Sequence, residues 1–342
     1  MANILAIDTG YGNVKIAYIN PESKEMILDK FISTVAKLDK LDEFDDENAF
    51  QFLDSYYVLG SQALKLPREF IQQMNDYDSL KELAPIWINF LLNKYEKELG
   101  IKFDKIAIGL SLAFRDKGDD FLNHLEDVLM FPKDRYILLP QGVAIKKLLD
   151  MYGLSPLEPS KRSAFKYDSY VLFDLGQKTV DIGLMTSAIN SSSVNSSIGI
   201  EDIGVTKISF DIVDYIFKST GITITREEAK VIIETGIFRR RGRNYDLSEQ
   251  VRQFTLNYLI SILDLPDTNA KVGSLVEGVD RIILCGGGAE LWKKYEAELG
   301  PEIEKRGYPK NFWVTPEKGA EYFNAMSYLL IAQKVVEKEQ QG

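Results

Sequence analysis

The feature that most limits how this chain can fold is an internal repeat. Residues 5–17, LAIDTGYGNVKIA, lie in register on residues 171–183, VLFDLGQKTVDIG. Asp8 aligns with Asp174, Gly10 with Gly176, Val14 with Val180 and Ile16 with Ile182, while Lys15 falls opposite Asp181. Each copy reads as an apolar β-prone run, Asp-x-Gly, a short polar turn and a second apolar run, which is a hairpin pattern. The two copies stand 166 residues apart, from 8 to 174, in a chain of 342 residues. A duplicated α/β domain with a site between its halves is the natural inference, and the length suits about two domains of ~100–200 residues.

The rest of the sequence alternates strand and helix signals, as a βαβ-type domain requires. Weak strands are expected near 27–34 and 56–59. Apolar residues at helical spacing predict a helix over 84–99, with Pro85 in its first turn and Gly100 as its stop. Strand 105–112, a helix near 119–130, strand 136–139 and a helix at 142–152 follow. Residues 155–166 are proline-rich and basic and read as the connection between halves. In the second half, 187–197 reads as an exposed loop and Thr225 with Glu228 as a capping box for a helix at 226–235. The stretch 236–248 reads as a loop, followed by a helix over 247–264. Strand 281–285 meets Gly286, Gly287 and Gly288 and a helix; strand 312–315 leads to a final helix at 319–337.

This pattern carries a recognisable chemistry. Turn glycines allow positive φ and let backbone N–H groups approach phosphate oxygens. An aspartate just before each turn can hold Mg²⁺ through water or orient an attacking water. Lys15 places a positive charge at the end of the first turn. A single Asp-x-Gly hairpin is common and means little; two in register at half-chain spacing mean more. Gly286–Gly288, after an apolar strand and before a helix, adds a third element suited to a nucleotide, although a tight strand-to-helix turn would look the same.

Composition removes several alternatives. One cysteine, Cys285, rules out a disulfide framework or a thiolate cluster, and one histidine, His124, rules out multi-histidine metal sites. Scarce cysteine suits a reducing compartment, so a cytoplasmic location is expected. No run of about 18 apolar residues predicts a membrane span, the N-terminus reads as a strand rather than a signal peptide, and the polar tail KVVEKEQQG argues against membrane anchoring. A formal charge of −10 disfavours direct nucleic-acid binding.

Together these segments resemble the actin-like ATPase superfamily, which includes actin, ParM-type plasmid-partition proteins, the seventy-kilodalton chaperones and the sugar kinases. AIDTGYGNVK looks like its first phosphate motif, VLFDLGQKTVDIG its second, LPQGVAIKKLL its first connecting segment, IILCGGGAEL its adenosine motif and the final helix its second connecting segment. The resemblance implies two duplicated ribonuclease-H-like domains with a nucleotide cleft between them: domain I over 1–165, completed by 319–342, and domain II over 166–318. It implies ATP or GTP as substrate with Mg²⁺. Asp8 and Asp174 would position metal and lytic water, and Gln141 would orient that water, though a polar neighbour of a helix cap is the bland alternative. Asp181 would support them or serve a structural hydrogen bond. Gly10, Tyr11, Gly12, Asn13 and Lys15 would line one phosphate loop, and Gly176, Gln177, Lys178 and Thr179 the other. Lys230, Glu234 and Gly286–Gly288 would meet the nucleoside.

Within that superfamily, the compact length, the Asp-x-Gly-x-Gly-Asn hairpin and the PQG segment look most like ParM-type bacterial actins. The resemblance implies a cytoskeletal ATPase that polymerises with itself and positions plasmid DNA through an adaptor protein. A small-molecule kinase, with a base such as Asp116, and a non-hydrolysing nucleotide-binding scaffold are the alternatives. The basic run from Arg239 to Arg243 reads as a solvated loop or as a contact to the filament or adaptor, with direct DNA contact ranked lower given the overall charge.

Overall fold

The computed structural model describes residues 2–38, 49–161, 167, 169–186 and 196–341. The chain divides into two compact units, residues 1–164 with 322–342, and residues 165–321. Each is built on a five-stranded sheet.

In the first unit, β1 (Ile4–Thr9), β2 (Asn13–Ile19) and β3 (Met26–Ile32) form an antiparallel meander. The short strands β4 (Val35–Leu38), β5 (Ala49–Phe52), β6 (Ser55–Leu59) and β7 (Ile71–Gln72) make a separate four-stranded sheet, of which only β6 was legible as a strand. Then β8 (Lys105–Leu110) and β9 (Tyr136–Pro140) pair in parallel on the other side of β1, giving the order β3-β2-β1-β8-β9.

β1 is buried on both faces, so alternate side chains enter different layers. Leu5 and Ile7 join the core formed with the helix Tyr77–Leu99, whereas Ile4 and Ala6 face the C-terminal helix Phe323–Glu339. That second face is paved with Ala6, Ala17, Ala107 and Gly109, and small residues let the helix approach closely. A Cβ on Gly109 would overlap the Tyr328 ring. This close packing explains why the end of the chain returns to the first unit.

Two helix expectations need correction. Pro85 lies inside the helix Tyr77–Leu99 rather than in its first turn. The helix starts earlier because Asp76 accepts from the Ser79 amide while Ser79 Oγ accepts from the Asp76 amide, a reciprocal cap that outweighs one interior proline. The helix expected at 142–152 begins at Ile145, behind a turn in which Gly142 takes φ +73°.

In the second unit, β10 (Ser169–Leu175), β11 (Thr179–Thr186) and β12 (Ser197–Glu201) form the meander. The stretch 236–248, read from sequence as a loop, is instead a hairpin, β13 (Ile237–Arg240) with β14 (Arg243–Asp246). β15 (Arg281–Cys285) and β16 (Trp313–Val314) complete the order β12-β11-β10-β15-β16. The two sheets therefore share one topology, strand for strand, and the repeat seen in 13 residues of sequence extends to whole sheets. Val171, Phe173 and Leu175 pack with Tyr258, Leu259 and Leu275 of the covering helices. Most of the expected loop 187–197 and the end of the linker 155–166 lie outside the described residues.

Candidate functional site

The first hairpin holds its aspartate by three elements. Asp8, near the end of β1, is 2% exposed and sits opposite Lys15 of β2 in the ladder. Lys15 Nζ donates to Asp8 Oδ2 at 3.1 Å, and Gln141 Nε2 donates to Asp8 Oδ1 at 2.9 Å. Gln141 stands directly after β9, where its amide donates to the Leu110 carbonyl at 2.9 Å. The neighbouring Gly142 amide donates to Asn324 Oδ1 of the C-terminal helix at 3.0 Å. Both carboxylate oxygens of Asp8 are thus engaged, which satisfies a buried charge.

The second hairpin repeats the frame with different charge. Asp174 and Asp181 are buried and directly opposed across β10 and β11, the positions that Asp8 and Lys15 hold in the first hairpin. A carboxylate therefore replaces an ammonium. Carboxyl groups directly opposed across a ladder disfavour one another, and both of these residues are also held by further polar contacts.

The glycines work by space rather than by backbone twist. Gly10 and Gly176 are not in the positive-φ region, contrary to the sequence expectation. A Cβ at Gly10 would lie 2.8 Å from the Asn13 carbonyl oxygen, and one at Gly176 would lie 2.8 Å from that of Thr179. The two turns are superimposable in this respect. Gly286 needs both properties: φ is +77° and a Cβ would strike Asp174 Oδ1. Gly287 faces open space, whereas Gly288 is buried, its missing side chain directed at Leu175 and Val205.

Each turn also has its carbonyls tied down. The Tyr11 and Gly12 carbonyls accept from Ser33 Oγ (2.7 Å) and the Ser33 amide (3.2 Å). The Gly176, Gln177 and Lys178 carbonyls accept from the amides of Val205, Thr206 and Gly204 at 3.0, 2.8 and 3.1 Å. The backbone oxygens that would repel a phosphate are committed elsewhere. Ser33 and residues 204–206 were not singled out in the sequence, because they lie far from the motif and carry no pattern of their own.

The remaining expected residues divide. The Tyr11 ring packs against the core of the first unit. Lys178 Nζ lies 3.9 Å from both Glu201 and Asp202, so its charge is shared with the surface of its own unit. Thr179 is buried, Asn13 opens β2, and Gln177 Oε1 accepts from Thr206 Oγ1 at 3.2 Å. Lys230 and Glu234 lie on the helix Arg226–Thr235, where Thr225 and Glu228 form the expected capping box. Thr9, between Asp8 and Gly10, has a buried hydroxyl that finds no partner among the described residues.

Among the described residues, no group of three Asp, Glu, His or Cys side chains could hold a metal. Mg²⁺ does not need such a cage, since it keeps waters and takes one or two carboxylates together with phosphate oxygens. The paired Asp174 and Asp181 fit that donor chemistry. Among the described residues, no helix is long and apolar enough to cross a membrane.

Comparisons with known proteins bear on the fold. Residues 172–295 match the family model for the C-terminal part of archaeal MreB-like actin homologues. The chain superimposes on a ParM filament subunit from Clostridium botulinum with a TM-score of 0.71 at 18% identity, over 97% of this chain and 99% of that one. The chain has the actin-like fold. An archaeal actin homologue matches with a TM-score of 0.67 at 18% identity, over 98% and 100% of the two chains. Bacillus thuringiensis ParM with ATP matches with 0.62 at 16% identity, over 98% and 99%. No curated protein sequence matches this actin-fold chain.

Proposed function

We propose that this chain binds ATP with Mg²⁺, polymerises in that state and hydrolyses the nucleotide. The observation that carries this reading is the pair of hairpins, each with a buried aspartate and with its turn carbonyls bonded within its own unit. Actin-fold relatives of known structure include a ParM filament and a ParM with ATP, which favours assembly with nucleotide. DNA segregation through an adaptor, in the cytoplasm, is the cellular role this reading implies.

Each residue then has a task. Lys15 offsets charge on the phosphates, and the turns at 10–13 and 176–179 present backbone amides to them, those of Gly10 and Gly176 excepted because they already donate to the Asp8 and Thr179 carbonyls. Asp8 and Asp174 hold water around the phosphates, with Asp181 supporting the second. Bound Mg²⁺ supplies neutralisation of the developing phosphate charge. Gln141 orients the water whose oxygen attacks the γ-phosphorus as the bond to the β–γ bridging oxygen breaks, giving ADP and phosphate. A glutamine is no strong base, so turnover is slow. Lys230, Glu234 and Gly286–Gly288 contact the nucleoside.

Negative-stain microscopy and light scattering with ATP-Mg²⁺, GTP-Mg²⁺ and ADP test this reading. Filaments that depend on triphosphate are expected; a chain that stays monomeric at high concentration with every nucleotide overturns it. Phosphate transfer that depends on an added sugar would instead favour the kinase reading, with Asp116 in the turn Leu112–Lys117 as the base to test. Unchanged phosphate release in Asp174→Ala would favour a non-hydrolysing scaffold.

A further inference from the structure

The hairpin Ile237–Asp246 is built against its own stability. Its two-residue turn places Arg241 at φ +48° and Gly242 at φ +74°, a turn in which asparagine or glycine normally takes the first position. Arg240 and Arg243 are directly opposed in the ladder, a like-charge pair that destabilises a hairpin. Arg239, Arg240, Arg241 and Arg243 are all exposed, and among the described residues none of them makes an ion pair. The buried Phe238 ring, 5.8 Å from Tyr245, stiffens the base of the ribbon. Local choices that oppose stability mark a surface kept for a partner. The bare arginines call for an acidic one, and the chain itself carries a net charge of −10.

A matching surface lies on other helices of the same unit. Between the helices Thr206–Thr220 and Ser248–Leu263 is a groove of about 380 Å³ lined by Asp211, Asp214, Tyr215, Lys218, Ser219 and Phe254. Beside it Phe210 and Phe217, seven residues apart on one side of the helix, are 51% and 53% exposed. Guanidinium groups bind carboxylates in a fork and stack on aromatic faces, and this groove offers both. Arg226 already lies 4.9 Å over the Phe210 ring. Among the described residues Asp214 pairs with the exposed Lys218 four residues on, a solvent-screened contact that a better-placed cation can replace. Burial pushes the Asp211 carboxyl above its usual range, against the opposing charge of Lys207.

We propose that the arginine ribbon of one copy docks into this acidic, aromatic groove of a second copy of the chain. The inference rests on the assembly reading above and names the surfaces that make the contact. Because each copy offers one ribbon and one groove, the contact can propagate into an open polymer.

Charge reversal on either side tests it. Arg240→Glu with Arg243→Glu, and separately Asp211→Lys with Asp214→Lys, should each raise the critical concentration for ATP-Mg²⁺-dependent assembly about tenfold or more, equivalent to at least about 1.4 kcal/mol per contact. Binding of a fluorescent ATP analogue should be unchanged, which shows the variants are folded. Mixing the two reversed proteins, or combining all four changes, should restore assembly, since opposite charges again face each other. Wild-type-like assembly by either reversed protein overturns the proposal, as does failure of the combination while nucleotide binding persists. Normal assembly together with loss of plasmid DNA retention in Arg240→Glu with Arg243→Glu would show a nucleic-acid contact and overturn it as well. A wild-type chain that never assembles overturns the assembly reading itself, and these surfaces with it.

Discussion

Asp8 depends on two donors, Lys15 of its own hairpin and Gln141 from 133 residues along the chain, and this coupling can be measured. Lys15→Ala leaves a buried carboxylate with one neutral donor and should cost about 2–4 kcal/mol in urea unfolding. Combining it with Asp8→Asn should cost less than the sum of the two singles, because the stranded charge is gone; strict additivity would mean no interaction. Gln141→Ala should lower phosphate release about 100-fold while ATP affinity changes little, and an equal loss in affinity would make Gln141 a binding group only. The paired turns make a further point. Gly10→Ala and Gly176→Ala should each weaken nucleotide binding, because the added Cβ meets the carbonyl three residues on.

At the scale of elements, the helix Gly118–Leu129 ends on Met130, which is 83% exposed and left-handed at φ 55°. Glycine has no Cβ penalty there, so Met130→Gly should stabilise the first unit by about 0.5–1 kcal/mol. No change in the urea midpoint would mean the strain is absorbed elsewhere. Gly109 is the opposite case. Gly109→Ala must push the C-terminal helix off β8, because Tyr328 occupies the space, and should cost about 2–3 kcal/mol. Thermal unfolding with and without truncation after residue 318 would show whether that helix is the part displaced.

For the molecule as a whole, the single histidine and the single cysteine are clean probes. His124 has its pKa lowered below the ordinary 6.5, chiefly by burial and then by the Lys81 charge. The folded state therefore binds fewer protons than the unfolded one below that value. Stability is lost as pH falls through the unfolded pKa and keeps falling until the folded pKa is passed. His124→Gln should remove this component, so wild type and variant should diverge as pH falls through the ordinary histidine value of 6.5 and run parallel well above it. Cys285 is fully buried in β15, so a thiol reagent should react only as the second unit opens. Its modification rate in urea reports that unit by itself, against tryptophan fluorescence from the whole chain.

The sequence by itself determined the duplication, the strand-helix alternation, the two Asp-x-Gly hairpins and the capping box at Thr225. All of these are written in near neighbours, through two-residue and 3.6-residue periods and turn chemistry. Tertiary structure decided what spans long separations. It brought Gln141 to Asp8 and Asn324 to Gly142. It used Ser33 and residues 204–206 to bind the turn carbonyls, and buried Asp181 opposite Asp174. It also turned an apparent arginine loop into a β-ribbon and made the turn glycines a matter of space rather than of φ. Local pattern names the residues that can make a turn or strand. Which distant group shares a carboxylate, and which side chain a glycine makes room for, depends on sheet register and helix approach, which no short window of sequence contains.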